Sequence, residues 1–167
     1  MGGRRRPRRK GGTLKDGERR QLARASRHAD ASAPEPSDRA LLLCDGGSRG
    51  NPGPSAIAAV LLAPDGHALR QRAELIGHAT AAEAEYRAIL LALELATAHG
   101  ADPIEVRSDS QLAIAALGSE TPAAVEHAQL VREIREAAGA FIAVRWRWHP
   151  RGANELADAL VRDLLWP

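Results

Sequence analysis

The feature that most constrains this chain is a short run with no polar break, Ala40-Leu41-Leu42-Leu43-Cys44, closed by Asp45 and a glycine-rich stretch. A strand with one face in water alternates apolar and polar residues. This run does not alternate, so it reads as a central strand covered on both faces. Asp45 then stands at the C-terminal end of that strand, where ligand sites collect in open α/β sheets. The residues downstream supply the cover. Ala56–Ala63 and about His67–Ile76 read as two further strands joined at Pro64-Asp65-Gly66. Ala81–His99 is a long amphipathic helix stopped by Gly100. Ile104–Ser108 is a strand, Ser110–Leu117 and Pro122–Ala138 are helices, Phe141–Trp148 is a strand and Asn154–Leu165 is a helix. The order βββαβααβα predicts an α/β fold: a three-stranded meander continued by βα units into a mixed sheet with helices on its faces.

A length of 167 residues suits one domain with a sizeable core. Aromatic residues make up only 3% of the chain, so that core must be built from Leu, Ile, Val and Ala. The single cysteine, Cys44, excludes an internal disulfide framework and a cysteine-based zinc site. Its apolar neighbours make it a small core residue. No apolar run is long enough to span a membrane, and the start is charged and polar, unlike a signal peptide. A cytoplasmic setting is expected.

Charge divides the chain. Residues 1–30 hold eleven Lys/Arg against Asp16, Glu18 and Asp30, a net of +8; within a total of +2 the remainder carries −6. Residues 1–12 are Arg/Gly-rich and expected to be disordered, a helix is expected over about Leu14–His28, and Ala29–Asp38 reads as a linker. The division is therefore a basic arm and linker over residues 1–38 and a folded domain over 39–167. Basic arms favour polyanions, the alternative being a solvated tail. An acidic body that binds nucleic acid needs metal ions to do so.

Four carboxylates stand out by position. Asp45 is either an ordinary turn aspartate or a ligand at a strand end. On the long helix, Glu83 shares a face with Arg87 and Glu94 and forms a solvated pair. Glu85 shares a face with Ala88, Ile89 and Ala92, where a carboxylate is costly unless a cation or donor meets it. Asp109, where IEVRS gives way to SQLAIAAL, serves as a helix N-cap, as a ligand, or as both. Asp158 lines up with Asn154, Val161 and Leu165 on a mostly apolar face, as a ligand or as a boundary residue near Arg151 or Arg162. Clustered carboxylates raise one another's pKa unless a divalent cation neutralises them. Oxygen ligands of this kind suit Mg²⁺ or Mn²⁺, and two such ions can activate water and stabilise the leaving oxygen of a phosphodiester.

These segments together resemble type I ribonuclease H. DGGSRGNPGP (Asp45–Pro54) resembles that family's first motif, TAAEAEY (Thr80–Tyr86) its second, SDSQ (Ser108–Gln111) its third and PRGANELAD (Pro150–Asp158) its last. The resemblance covers about residues 39–165. It implies a ribonuclease H-like fold with a five-stranded mixed sheet, and a metal-dependent endonuclease cutting the RNA strand of an RNA–DNA hybrid. It places the metal ligands and catalytic groups on Asp45, Glu85, Asp109 and Asp158, holding two Mg²⁺ ions with Mn²⁺ as a substitute. It matches Gly46, Ser48, Asn51 and Gln111 to positions that touch RNA, Thr80 to one that holds a DNA phosphate, and Asn154 to a further substrate-binding position. The 2′-OH is the group by which such a site tells RNA from DNA. The chain departs from the pattern at Ala81 and Ala82, where the family carries paired asparagines. No basic helix lies between Leu117 and Phe141, and there is no histidine-bearing glycine-rich loop before the last helix. His149 sits at a different offset, at a strand end, and is read as packing or surface rather than catalysis. Trp146 and Trp148 alternate with Arg145 and Arg147, so the tryptophan face reads as core and the arginine face as solvated. A catalytically silent nucleic-acid-binding module of the same fold is the alternative; it predicts a missing carboxylate, and none is missing. The favoured oligomeric state is a monomer.

Overall fold

The computed structural model describes residues 34–119 and 121–167. The expected basic arm and its helix at Leu14–His28 lie outside the described residues. Five strands form one sheet in the order β3-β2-β1-β4-β5: β1 (Ala40–Ser48), β2 (Gly53–Leu62), β3 (Ala68–Ala79), β4 (Ile104–Ser108) and β5 (Val144–Trp148). β1 is central, antiparallel to β2 and parallel to β4; β2–β3 is antiparallel and β4–β5 parallel. The helices are α1 (Ala81–His99), α2 (Gln111–Gly118), α3 (Ala128–Ala138) and α4 (Glu155–Leu165). Among the described residues, no helix is long and apolar enough to cross a membrane.

The unbroken apolar run is buried on both faces, as its pattern requires. Leu42 and Cys44 join one core with Ile89, Leu93, Val106 and Ile134. Leu41 and Leu43 join another with Val60, Leu62 and Ala157 of α4. α1 begins where Thr80 Oγ1 accepts from the Glu83 N–H at 3.1 Å. It ends where Gly100 takes φ +73, a left-handed C-terminal geometry that costs glycine nothing.

β1 runs four residues further than its apolar pattern predicts, through Asp45, Gly46, Gly47 and Ser48 paired with Ala58, Ile57, Ala56 and Ser55. Here the glycines serve close approach rather than a turn. A Cβ on Gly46 would lie 2.2 Å from the Ala84 carbonyl carbon of α1, and one on Gly47 2.9 Å from Val161 Cγ1 of α4. Both helices press onto β1 at its last residues because two successive side chains, one per face, are missing.

The helix expected from Pro122 starts only at Ala128, after a 3₁₀ turn at Val125–His127. His127 takes φ −109, ψ 0, which breaks helical continuity, and its ring packs on Tyr86 with centroids 5.1 Å apart. The last strand begins at Val144 rather than Phe141, since the Ile142 N–H leaves the ladder to donate to the Asp102 carboxylate.

On the face of β4 and β5 away from α1, Glu105 is buried beneath four donors. Arg107 Nε donates at 2.6 Å, Arg145 Nη1 at 2.9 Å and Ser37 Oγ at 3.2 Å, with Arg147 Nη1 at 3.8 Å. The segment Pro34–Asp38 straps this face. Arg107 Nη1 donates to the Glu35 carbonyl, Arg147 binds the Glu35 carboxylate and Arg145 binds Asp38. The arginine face expected to be solvated is thus paired with acids of the chain.

Candidate active site

β1 and β4 are parallel neighbours, so their C-terminal ends lie side by side and carry Asp45 and Asp109 on one edge of the sheet. α1 crosses directly over Gly46, which sets Glu85 of its second turn beside Asp45. Ligand oxygens of Asp45, Glu85 and Asp109 all fall within 4.8 Å of one another. Glu85 Oε2 and Asp109 Oδ1 are buried and have no hydrogen-bond partner among the described residues. A buried carboxylate oxygen without a donor is costly.

The electrostatics agree with that geometry. Burial, and then the charges of Asp109 and Asp158, push Asp45 up to about 7 from its ordinary 3.8. Burial, and then Asp45 and Asp109, push Glu85 up to about 9, with the Gly46 N–H and Arg151 only partly opposing. A divalent cation removes the cause, because it fills the open oxygens and neutralises the like charges. An all-oxygen donor set of this kind fits Mg²⁺ or Mn²⁺.

Asp109 is not the N-cap of α2. Ser110 holds that place, its Oγ accepting from the Ala113 N–H. The Asp109 backbone is pinned on several sides instead. Ser108 Oγ accepts from the Ser110 N–H, the Ser108 carbonyl accepts from the His149 N–H, and Trp148 Nε1 donates to the Asp109 carbonyl at 3.1 Å. This leaves the Asp109 carboxylate free of structural duty.

Asp158 stands apart from the three. It is paired with Arg151 and with Arg162, each at 3.2 Å, though it is near enough to raise the Asp45 pKa. Glu83 pairs with Arg87 at 2.8 Å, as its helix face predicts.

The substrate-side candidates have distinct local roles. Asn51 Oδ1 accepts from the Ala81 N–H and Thr80 caps the same helix end, so the two meet at the α1 N-terminus. Ser48 Oγ donates to the Ala79 carbonyl, Gly46 lies under α1 and Gln111 is exposed on the first turn of α2. Asn154, matched to a further substrate position, lies inside the fold. It is fully buried, with Nδ2 donating to the Cys44 carbonyl at 2.9 Å, so its side chain braces a strand end. Trp148 corrects the expectation of core burial, being 43% exposed beside Asp109. Its alternation with arginine showed which face it takes but not that this face runs out of cover at the sheet edge.

Residues 43–164 match the family described as reverse transcriptase-like. A ribonuclease HI of Halobacterium salinarum is 39% identical over 136 residues, 79% of this chain and 67% of the relative. A bifunctional protein of Mycobacterium tuberculosis is 33% identical over 131 residues, of which this chain spans only 35% of the relative's length. Among solved structures, the ribonuclease H1 of Halobacterium salinarum superposes with a TM-score of 0.73 at 38% identity, covering 76% of this chain and 97% of that one. LC11 ribonuclease H1 bound to an RNA/DNA hybrid superposes at 0.70 and 30% identity, covering 75% and 95%. Strand order, carboxylate geometry and sequence agree, and the chain belongs to the ribonuclease HI family.

Proposed function

We infer that the chain is an endoribonuclease that hydrolyses the RNA strand of RNA–DNA hybrids at the carboxylate edge of β1 and β4. The observation that carries this reading is the convergence of Asp45, Glu85 and Asp109 within 4.8 Å with two buried oxygens left open. These three, joined by Asp158 in exchange for one of its arginine contacts, would hold two Mg²⁺ ions, with Mn²⁺ as a substitute. The ions supply an activated water and charge stabilisation of the leaving oxygen. The chain contributes the rest. α1 and β1 hold Glu85 and Asp45 at a fixed separation through the Gly46 contact, and the Trp148, His149 and Ser108 bonds hold Asp109 in place.

Gly46, Ser48, Asn51 and Gln111 line the RNA side. Thr80 and Asn51 stand at the α1 N-terminus, where the positive end of the helix dipole suits a DNA phosphate. The basic arm and linker, residues 1–38, are a sequence-independent tether to phosphates. The folded domain is residues 39–167, acting as a monomer in the cytoplasm with its nucleic acid. The test is cleavage of labelled RNA–DNA hybrid, single-stranded RNA, double-stranded RNA and double-stranded DNA with Mg²⁺, Mn²⁺ or EDTA. Hybrid cleavage that needs metal is the expected result; no cleavage of any hybrid with either metal removes the reading. Removing residues 2–33 flattens the salt dependence of hybrid binding by about 0.9 per lost phosphate contact in log–log slope, on the duplex-DNA scale. Identical slopes would leave the solvated tail.

A further inference from the structure

On the face of the sheet away from α1, α4 lays its apolar residues over β1 and β2. Over β4 and β5 the cover is the strap Pro34–Asp38, and what it covers is a stripe of guanidiniums. Parallel register sets Glu105 beside Arg145 and Arg107 beside Arg147, so these four charged side chains share one face. Three cations around one buried carboxylate leave an excess of positive charge. Glu35 and Asp38 oppose it: Arg147 Nη2 donates to Glu35 at 2.7 Å and Arg145 Nη1 to Asp38 at 3.0 Å. Arg39, 3.9 Å from Asp38, adds a further cation.

Two kinds of contact hold the strap, and they differ in strength. Arg107 Nη1 donates to the Glu35 carbonyl at 3.0 Å and Ser37 Oγ to the buried Glu105 at 3.2 Å, which fixes the strap from beneath. The two carboxylates lie on the outside. Glu35 is 75% exposed and Asp38 70%, on arginines that are themselves 46% and 44% exposed. Pairs this exposed contribute little and exchange readily. The carboxylates can therefore leave the arginines while the strap stays in place. A guanidinium takes a phosphate by the same two-pronged hydrogen bonding as a carboxylate. Among the described residues Arg145 engages only Nη1, and the buried Arg107 Nη2 has no partner, so the stripe keeps donors in reserve. Position supplies the partner. Arg147 directly precedes Trp148, whose indole N–H donates to the Asp109 carbonyl. The stripe thus starts one residue from the carboxylate edge and runs about 6.6 Å down β5 to Arg145.

We propose that Arg145 and Arg147 form a phosphate-binding surface for the sugar–phosphate backbone of a hybrid seated at the carboxylate edge, and that Glu35 and Asp38 are stand-in anions which the phosphates displace. The surface holds a backbone by charge and reads no base. The strap acids compete with the phosphates and so set how tightly the backbone is held. That the ligand is a hybrid rests on the function inferred above; the exchange of carboxylate for phosphate does not.

The test is fluorescence anisotropy of a fluorescein-labelled RNA–DNA hybrid across a salt series, with the full chain and in EDTA so that nothing is cut. Glu35→Gln with Asp38→Asn should tighten binding about three- to tenfold, the release of two exposed pairs. Arg145→Gln with Arg147→Gln should weaken binding and flatten the log–log salt slope by about 0.9 per guanidinium, on the duplex-DNA scale. All four substitutions together should bind as the arginine variant does, because the acids act through the arginines. Equal tightening with and without the arginines would make the acids general charge and overturn the proposal. So would an unchanged salt slope in the arginine variant, or a strap variant that binds as wild type. Should the loss of Arg145 from Glu105 unfold the domain, Arg147→Gln alone, 3.8 Å from Glu105, is read for one guanidinium's share of the slope. Cleavage with Mg²⁺ is scored apart. The exchange seen in a protein that cleaves no hybrid would put the catalytic reading at fault and leave the surface standing; metal-dependent cleavage without the exchange would do the reverse.

Discussion

Glu105 and Asp45 stand on adjacent parallel strands, both buried, yet their surroundings differ in kind. Glu105 receives two arginines and a serine at hydrogen-bond distance with a third arginine close by, and these outweigh desolvation to hold its pKa below the ordinary value. Asp45 has carboxylates for neighbours, and with Glu85 it is pushed up toward or past neutrality. A buried carboxylate in the same sheet is completed by the chain in one place and left open in the other. An anion cluster that the polypeptide does not neutralise is a place reserved for a cation from outside.

The comparison breaks most sharply by substitution at the open cluster. Asp45→Asn or Glu85→Gln should lower hybrid cleavage by at least about a thousandfold, about 4 kcal/mol of barrier at 1.36 kcal/mol per decade. Either should raise the melting temperature measured in EDTA, since a like charge is gone. Near wild-type cleavage in either variant would show that the cluster is not the catalytic one. At the completed cluster, Glu105→Ala leaves the buried Arg107 without its carboxylate, while Arg145 and Arg147 keep Asp38 and Glu35, and should cost about 3–5 kcal/mol of unfolding free energy. A urea midpoint unchanged from wild type would show Glu105 to be dispensable.

A pH series on metal-free protein separates the clusters further. Asp45 and Glu85 have folded values, about 7 and about 9, above their ordinary 3.8 and 4.5. The folded state therefore binds protons more tightly, and the stability this gives is complete below pH 4 and lost as pH rises through 7 and 9. The melting temperature should fall between pH 5 and 9, and saturating Mg²⁺ should abolish the fall. Glu105 runs the other way: its depressed value adds stability above its ordinary pKa that is lost only in acid. A flat profile from pH 5 to 9 without metal would contradict the open cluster. The smallest effect belongs to Glu83→Gln. It breaks only the helix pair with Arg87, worth about 0.3–0.5 kcal/mol, so cleavage should stay within about twofold of wild type. Loss comparable to Glu85→Gln would overturn the division of the two glutamates.

What could be read from residues alone follows the range of the forces involved. The β1 run, the Thr80 and Gly100 ends of α1, and β4 depend on local pattern and capping, and all stand where their patterns put them. The separation of Glu83 from Glu85 needed only the angular spacing of a helix. The misreadings depend on what arrives from elsewhere in the chain. Gly46 and Gly47 resemble a turn until two helices are seen pressing on them. His127 interrupts a good helix pattern only because Tyr86 is there to stack on it. For Asp158 the residues left two roles open, a ligand or a boundary residue near Arg151 or Arg162, and tertiary packing sets the arginine pairs found here. The arginines of β5 read as solvated because their acid partners, Glu35, Asp38 and Glu105, come from distant parts of the chain.

The strap at Pro34–Asp38 has a directional consequence. Glu35 is fastened to Arg107 and Arg147, one residue short of the ends of β4 and β5, while Ala40 pairs with Ile104 at the opposite end of the sheet. The polypeptide thus travels the full height of the sheet before β1 begins. Among the described residues the chain therefore takes its departure beside the C-terminal ends of β4 and β5, not at the end of the sheet where β1 starts. Cutting the strap would move that point of departure to the far side of the molecule.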